Sequence, residues 1–157
     1  AFGGFGARCF WLERHDGTTT DWSYRTALDA KHRSARERVS LACRAAVREQ
    51  TSAAFAAAQT MRQLVCAVTG QPLPKGRAVV DHAPPWPMWR IVEEFVLREG
   101  GWDVVAARLR PTEDGVGGEF FADTEMAERF SRWHAEVARL RVVDVAENAR
   151  MGDHRRS

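Results

Sequence analysis

Apolar and polar positions alternate in several rhythms along the chain, and each rhythm predicts an element. Cys9, Phe10, Trp11 and Leu12 form an apolar run of strand length within Ala7 to Arg14. Asp16-Gly17 marks a tight turn, and Thr18 to Tyr24 supplies strand formers, so the opening reads as a β-hairpin. From Ala27 to Leu64 there is neither Pro nor Gly, and Leu28, Val39, Ala42, Ala46, Phe55 and Met61 stud a stretch rich in Ala, Arg and Glu. That composition favours helix, as one long rod or as two joined at a break and cap near Thr51-Ser52. Leu64 to Val68 and Arg77 to Asp81 read as strands on either side of the turn Gln71 to Gly76. Ala83-Pro84-Pro85-Trp86-Pro87 stops regular structure.

Farther on, Ile91, Val92, Phe95 and Val96 recur at helical spacing within Met88 to Glu99, which Gly100-Gly101 closes. Trp102 to Leu109 is short and amphipathic, and Pro111 to Gly118 is a Gly-rich loop. Asp123 or Thr124 caps a helix reaching about Ala138, with Met126, Phe130, Trp133 and Val137 as its stripe. Leu140 to Val143 is a short strand. Asp144-Val145-Ala146-Glu147 then has capping-box spacing and starts a last helix. The fold class is α+β: an N-terminal β-hairpin (1–26), a long helical bridge (27–63), and a core (64–157) of two strands and a helix with a helical insertion.

Composition narrows the function classes. A chain of 157 residues with 45% hydrophobic residues can bury a core. A net charge of +2 does not announce a nucleic-acid binder, yet the positive charge is mostly Arg, which suits bidentate phosphate contact. The odd, scattered Cys9, Cys43 and Cys66 form no CxxC pair, which argues against disulfides and a structural zinc, and fits a reducing cytoplasm. No run has the length of a membrane span and no leader precedes the first strand. The chain opens at Ala1 without Met, so its start is expected to be trimmed or internal to a longer protein.

The candidate chemistry centres on Asp81-His82, where a strand meets the proline loop. A carboxylate holds a hard cation through oxygen, and a neutral imidazole takes a proton from water. Neighbours on a flat strand point to opposite faces, so both serve one site only if the strand ends there. Asn148, one turn inside the last helix, would offer a neutral oxygen opposite Asp81 and complete a strand–strand–helix metal finger.

Cys66-Ala67-Val68-Thr69-Gly70 with Val79-Val80-Asp81-His82-Ala83-Pro84-Pro85 resembles the opening of an HNH endonuclease core, and Leu140 to Gly152 resembles its closing strand and helix. The resemblance implies cleavage of phosphodiester bonds in nucleic acid, DNA ahead of RNA. His82 would be the general base, and Asp81 and Asn148 would bind one Mg2+ (or Mn2+). It departs from the family in two ways. His82 and Asn148 lie 66 positions apart, making Trp86 to Trp133 an insertion. Arg139 stands where a middle Asn or His is expected, with His134 as the other candidate for that place. His134, Arg139, Arg141 and Arg150 are the expected nucleic-acid contacts. Trp86 and Trp89 flank the site as packing residues or base-stacking platforms.

Cys9 to Thr18 with Thr20 to Arg25 is similar to the end of the DCL domain, named for defective chloroplasts and leaves, over about 25 residues. That resemblance implies a nucleic-acid context and a rival reading, a non-catalytic nucleic-acid-binding or processing-assembly module. A purely helical interaction scaffold is the third.

Overall fold

The computed structural model describes residues 9–13, 19–23, 33–61, 63–74, 76–111 and 118–153. They fall into two compact units, 1–34 and 35–157. In the first, β1 (Cys9–Glu13) and β2 (Thr19–Ser23) pair antiparallel, with Cys9 opposite Ser23 and Glu13 opposite Thr19. This is the hairpin that the alternating residues predict; the expected turn at Asp16-Gly17 lies outside the described residues.

The second unit runs α1 (Ala35–Ala46), α2 (Arg48–Gln59), β3 (Ala78–His82), α3 (Met88–Arg98), α4 (Trp102–Ala106), β4 (Leu109–Pro111), β5 (Glu119–Phe121), α5 (Thr124–Val137), β6 (Leu140–Asp144) and α6 (Val145–Asp153). The fold is α+β. Two two-stranded antiparallel sheets, β3–β6 and β4–β5, lie among the helices.

Of the segment expected as a helical bridge (27–63), the residues from Ala35 onward belong to this unit and pack in its core. Val39, Ala42, Cys43 and Val47 recur at one helical face and are buried with Ile91, Val92, Phe95 and Val96 of α3. Met126 and Phe130 of α5 close the core. The Phe130 ring meets Phe95 at 5.0 Å in a T-shaped contact, with Phe121 of β5 beside both. The helical run breaks at Val47, not at Thr51-Ser52. Thr51 lies inside α2, where its hydroxyl donates back to the Arg48 carbonyl at 2.9 Å instead of capping.

The expected strand Leu64 to Val68 shrinks to an isolated bridge between Val65 and Pro72. Ala67 N–H still donates to Val142 O, which tethers this turn to β6, and buried Cys66 accepts the Asp144 N–H at 3.4 Å. The hairpin β4–β5 was not expected, because three-residue strands are too short to show alternation.

Two caps form as the sequence implies. Asp123 accepts the Glu125 N–H at 2.9 Å to start α5, and Asp144 accepts the Ala146 N–H at 2.8 Å to start α6. Arg77 adds an ion pair to Asp144 at 2.9 Å, and the Ala146 bond followed by Arg77 holds the Asp144 carboxyl below its usual range. Among the described residues no helix is long and apolar enough to cross a membrane.

Candidate functional site

Strand β3 pairs with β6 through its whole length, Ala78 opposite Asp144 and His82 opposite Leu140. Asp81 and His82 therefore leave the strand on opposite faces. Asp81 turns toward the side of α6: Arg141, its cross-strand partner, donates Nε and Nη2 to Asp81 Oδ2 at 2.9 and 2.8 Å and reaches Met151 Sδ at 3.4 Å. His82 turns toward α2 and α5.

There it meets a relay of polar side chains. His82 Nε2 and His134 Nε2 are 2.8 Å apart, and His134 Nδ1 lies 2.6 Å from Gln50 Oε1. The Gln50 amide nitrogen donates to Ser131 O at 2.9 Å and to Ser131 Oγ at 2.7 Å. A carbonyl can only accept, so the Ser131 carbonyl fixes which end of the Gln50 amide faces His134. The oxygen that remains makes His134 Nδ1 the protonated nitrogen and leaves Nε2 an acceptor. The His82–His134 bond thus runs from His82 Nε2–H, and a neutral His82 carries its lone pair on Nδ1. His134 is wholly buried, and burial followed by the adjacent His82 lowers its pKa to about 4, so it stays neutral at physiological pH.

A cleft of about 1010 Å³ opens beside this relay, lined by α1 and α2, by β3, and by Phe120 and Asn148 among others. All five residues of β3 line it. Side chains alternate between faces, so a consecutive run means that the strand's edge borders the cleft. Arg77 O accepts Val145 N–H and Ala83 N–H donates to Arg139 O. The alternation between these two bonds directs Val80 N–H and C=O away from β6, toward that edge. Asp81 and His82 both border the cleft for this reason, despite opposite faces. On the opposite wall stand Arg44 and Arg48, both exposed and neither ion-paired with a described carboxylate.

Asp81 and Asn148 were assigned to a divalent cation. Both Arg141 bonds fall on Oδ2, and no buried side-chain oxygen among the described residues lacks a partner, so Oδ1 keeps contact with solvent. Asp81 and Asn148 both line the cleft, and a carboxylate with an amide oxygen is the donor chemistry a hard ion that keeps most of its water accepts. No group of three or more His, Cys, Asp or Glu converges among the described residues.

The residues expected as nucleic-acid contacts differ in their placement. His134 is buried and committed to the relay. Arg141 is spent on Asp81, and Arg150 pairs with Glu147 at 2.8 Å on the outer face of α6. Arg139 is exposed, and its backbone carbonyl serves the strand pair. Trp86 packs edge-on against Trp133 at 5.6 Å, whereas Trp89 is 48% exposed. Sequence reasoning missed Gln50, Arg44 and Arg48. The available signal was Gln50 itself, a polar residue three positions beyond Val47 on the face that enters the core.

A family model described as a protein of unknown function (DUF3223) matches residues 3–28. No curated protein and no solved structure matches the chain. The matched stretch is the one that suggested a DCL-like end, and its description carries no activity; it stops well short of Asp81-His82. The assignment to HNH endonucleases with a DCL-like N-terminus is therefore corrected to this N-terminal match alone. Strings such as Val-Thr-Gly and Asp-His are too short to define a family.

Proposed function

We propose that the chain hydrolyses phosphodiester bonds in nucleic acid, with His82 as the general base. The observation that supports this reading is the relay, in which buried neutral His134 accepts from His82 Nε2–H beside a cleft that His82 lines. A base whose second nitrogen is held by an oriented acceptor is the arrangement that activates water or a hydroxyl. As His82 takes a proton, the imidazolium keeps its Nε2–H bond to His134, which cannot charge in its place. Arg44 and Arg48 on the opposite wall hold flanking phosphates. Asp81 Oδ1 and Asn148 would hold a Mg2+ or Mn2+ ion, which when bound offsets negative charge at phosphorus and at the leaving oxygen. Cys43 and Cys66 are both free thiols, which suits a reducing cytoplasm as the setting.

The test is cleavage of supercoiled plasmid, single-stranded DNA and RNA, in magnesium, manganese or EDTA, by the wild type and His82→Ala. Cutting that disappears in a folded His82→Ala variant supports the hydrolase. Salt-sensitive binding with no cutting under any condition replaces it with a binding module.

A further inference from the structure

The cleft combines two chemistries. Arg44, Arg48, Thr51, Ser52 and Gln59 bring cationic and polar groups to it, and Phe55 on the same face of α2, with Met88 and Phe120, presents half-buried apolar side chains to the same space. On β5, Glu119 and Phe120 both line the cleft; Glu119 is buried in an ion pair with Arg38 at 2.8 Å, and Phe120 is half-buried. Arg110 approaches that ring at 6.0 Å and adds a cation at this end. Val80 directs a donor and an acceptor from the strand edge toward the same space.

We infer that this cleft takes single-stranded nucleic acid, with a base laid against Phe120 or Phe55 and the adjoining phosphates on Arg44 and Arg48. The inference rests on the proposed function and narrows its substrate class. A base pair inside a duplex shows proteins only its edges, along a groove about 12 Å wide, because its faces are covered by the neighbouring pairs. An aromatic wall has use for a face, and a single strand offers one at every residue. The cationic wall then follows the backbone, and the Val80 amide and carbonyl meet a base edge without selecting strongly among bases. DNA and RNA share this chemistry, and a 2′-hydroxyl decides between them only through added hydrogen bonds.

The experiment is fluorescence anisotropy in EDTA, where cutting does not confuse binding, on labelled single-stranded DNA, single-stranded RNA and the matched DNA duplex. Single strands are expected to bind at least tenfold tighter than the duplex. Phe120→Ala and Phe55→Ala should each weaken single-strand binding by up to roughly 100-fold, the upper range for a lost stack, with duplex binding unchanged. Arg44→Ala with Arg48→Ala should lower the salt dependence by about 1.4 in log–log slope, two phosphates' worth. Phe120→Tyr keeps an aromatic face and should bind like the wild type, and circular dichroism of Phe120→Ala should show the fold retained. Equal affinity for duplex, or a folded Phe55→Ala and Phe120→Tyr pair both binding unlike these expectations, overturns the inference. Tight single-strand binding without any cleavage in metal overturns the hydrolase and leaves this inference standing.

Discussion

His82 and His134 face each other nitrogen to nitrogen at 2.8 Å, with ring centroids 5.1 Å apart and planes nearly perpendicular. Only one proton fits between two such nitrogens, and Gln50 decides whose it is. The helix that carries Gln50 therefore controls, at one remove, which His82 nitrogen can act as a base.

Replacing Gln50 by Leu removes that control. His134 can then adopt either tautomer, and cleavage is expected to fall by about 10- to 100-fold, with a stability cost of about 1–3 kcal/mol for the buried imidazole N–H left without its acceptor. Nitrogen-15 shifts of His82 should show mixed tautomers in Gln50→Leu and one tautomer in the wild type. A single unchanged His82 tautomer in the variant would count against the relay.

His82→Ala should cost about 10²- to 10⁴-fold in cleavage rate, the usual range for a positioned base. Circular dichroism should show the fold retained, because His82 is only half-buried. A loss of less than fivefold would mean that another group takes the proton.

His134 also ties stability to pH. Burial, then proximity to His82, lowers its folded pKa to about 4, against about 6.5 in the unfolded chain. Between these values the unfolded state binds the extra proton, so stability is full above pH 6.5 and falls as pH drops toward 4. The ceiling of this contribution is about 3 kcal/mol. Urea titrations from pH 7 to 4 should show a steeper loss for the wild type than for His134→Asn; parallel curves would remove His134 as the cause.

The Asp81–Arg141 pair should be costly to break on one side. Arg141→Met leaves a carboxylate that is 5% exposed without its cation, an expected loss of about 3 kcal/mol. Adding Asp81→Asn should recover most of it. A double variant no more stable than the single would show that the pair is not what holds Asp81 in place.

Phe130→Ala tests the core directly. Its ring is fully buried against Phe95 and Phe121, so truncation should cost about 3–5 kcal/mol in denaturant unfolding. A cost below 1 kcal/mol would mean that the surrounding rings collapse into the space.

Elements set by local chemistry were legible in the sequence. The caps Asp123 and Asp144, the α3 stripe and the strand Leu140–Asp144 all depend on neighbours within a few positions. Features set by distant partners were not. Nothing local to Asp81 reveals that Arg141, 60 positions away, holds one of its oxygens. His134 reads as a phosphate contact until Gln50, 84 positions away, is seen behind it. Nothing in the sequence singles out Arg44 and Arg48, since a cleft wall has no periodicity of its own. The strand-end argument for Asp81 and His82 failed for a plain reason. Pairing continues past His82 to Ala83, so the alternation of faces holds through the dipeptide.

Two tryptophans sit where they can watch this region. Trp86 stands edge-on to Trp133, the residue next to His134, with the Arg90 guanidinium 4.7 Å from the first ring and the Arg98 guanidinium 3.8 Å from the second. Trp133 Nε1–H is also bound to Ile91 O at 3.2 Å, which holds its ring steady. Perpendicular indoles this close couple their electronic transitions, giving a near-ultraviolet dichroic signal that neither ring produces alone. Any motion that draws the proline loop away from α5 would uncouple them. The protein thus carries an optical gauge of its own, readable without a label, for whether the segment after His82 keeps its seat against α5.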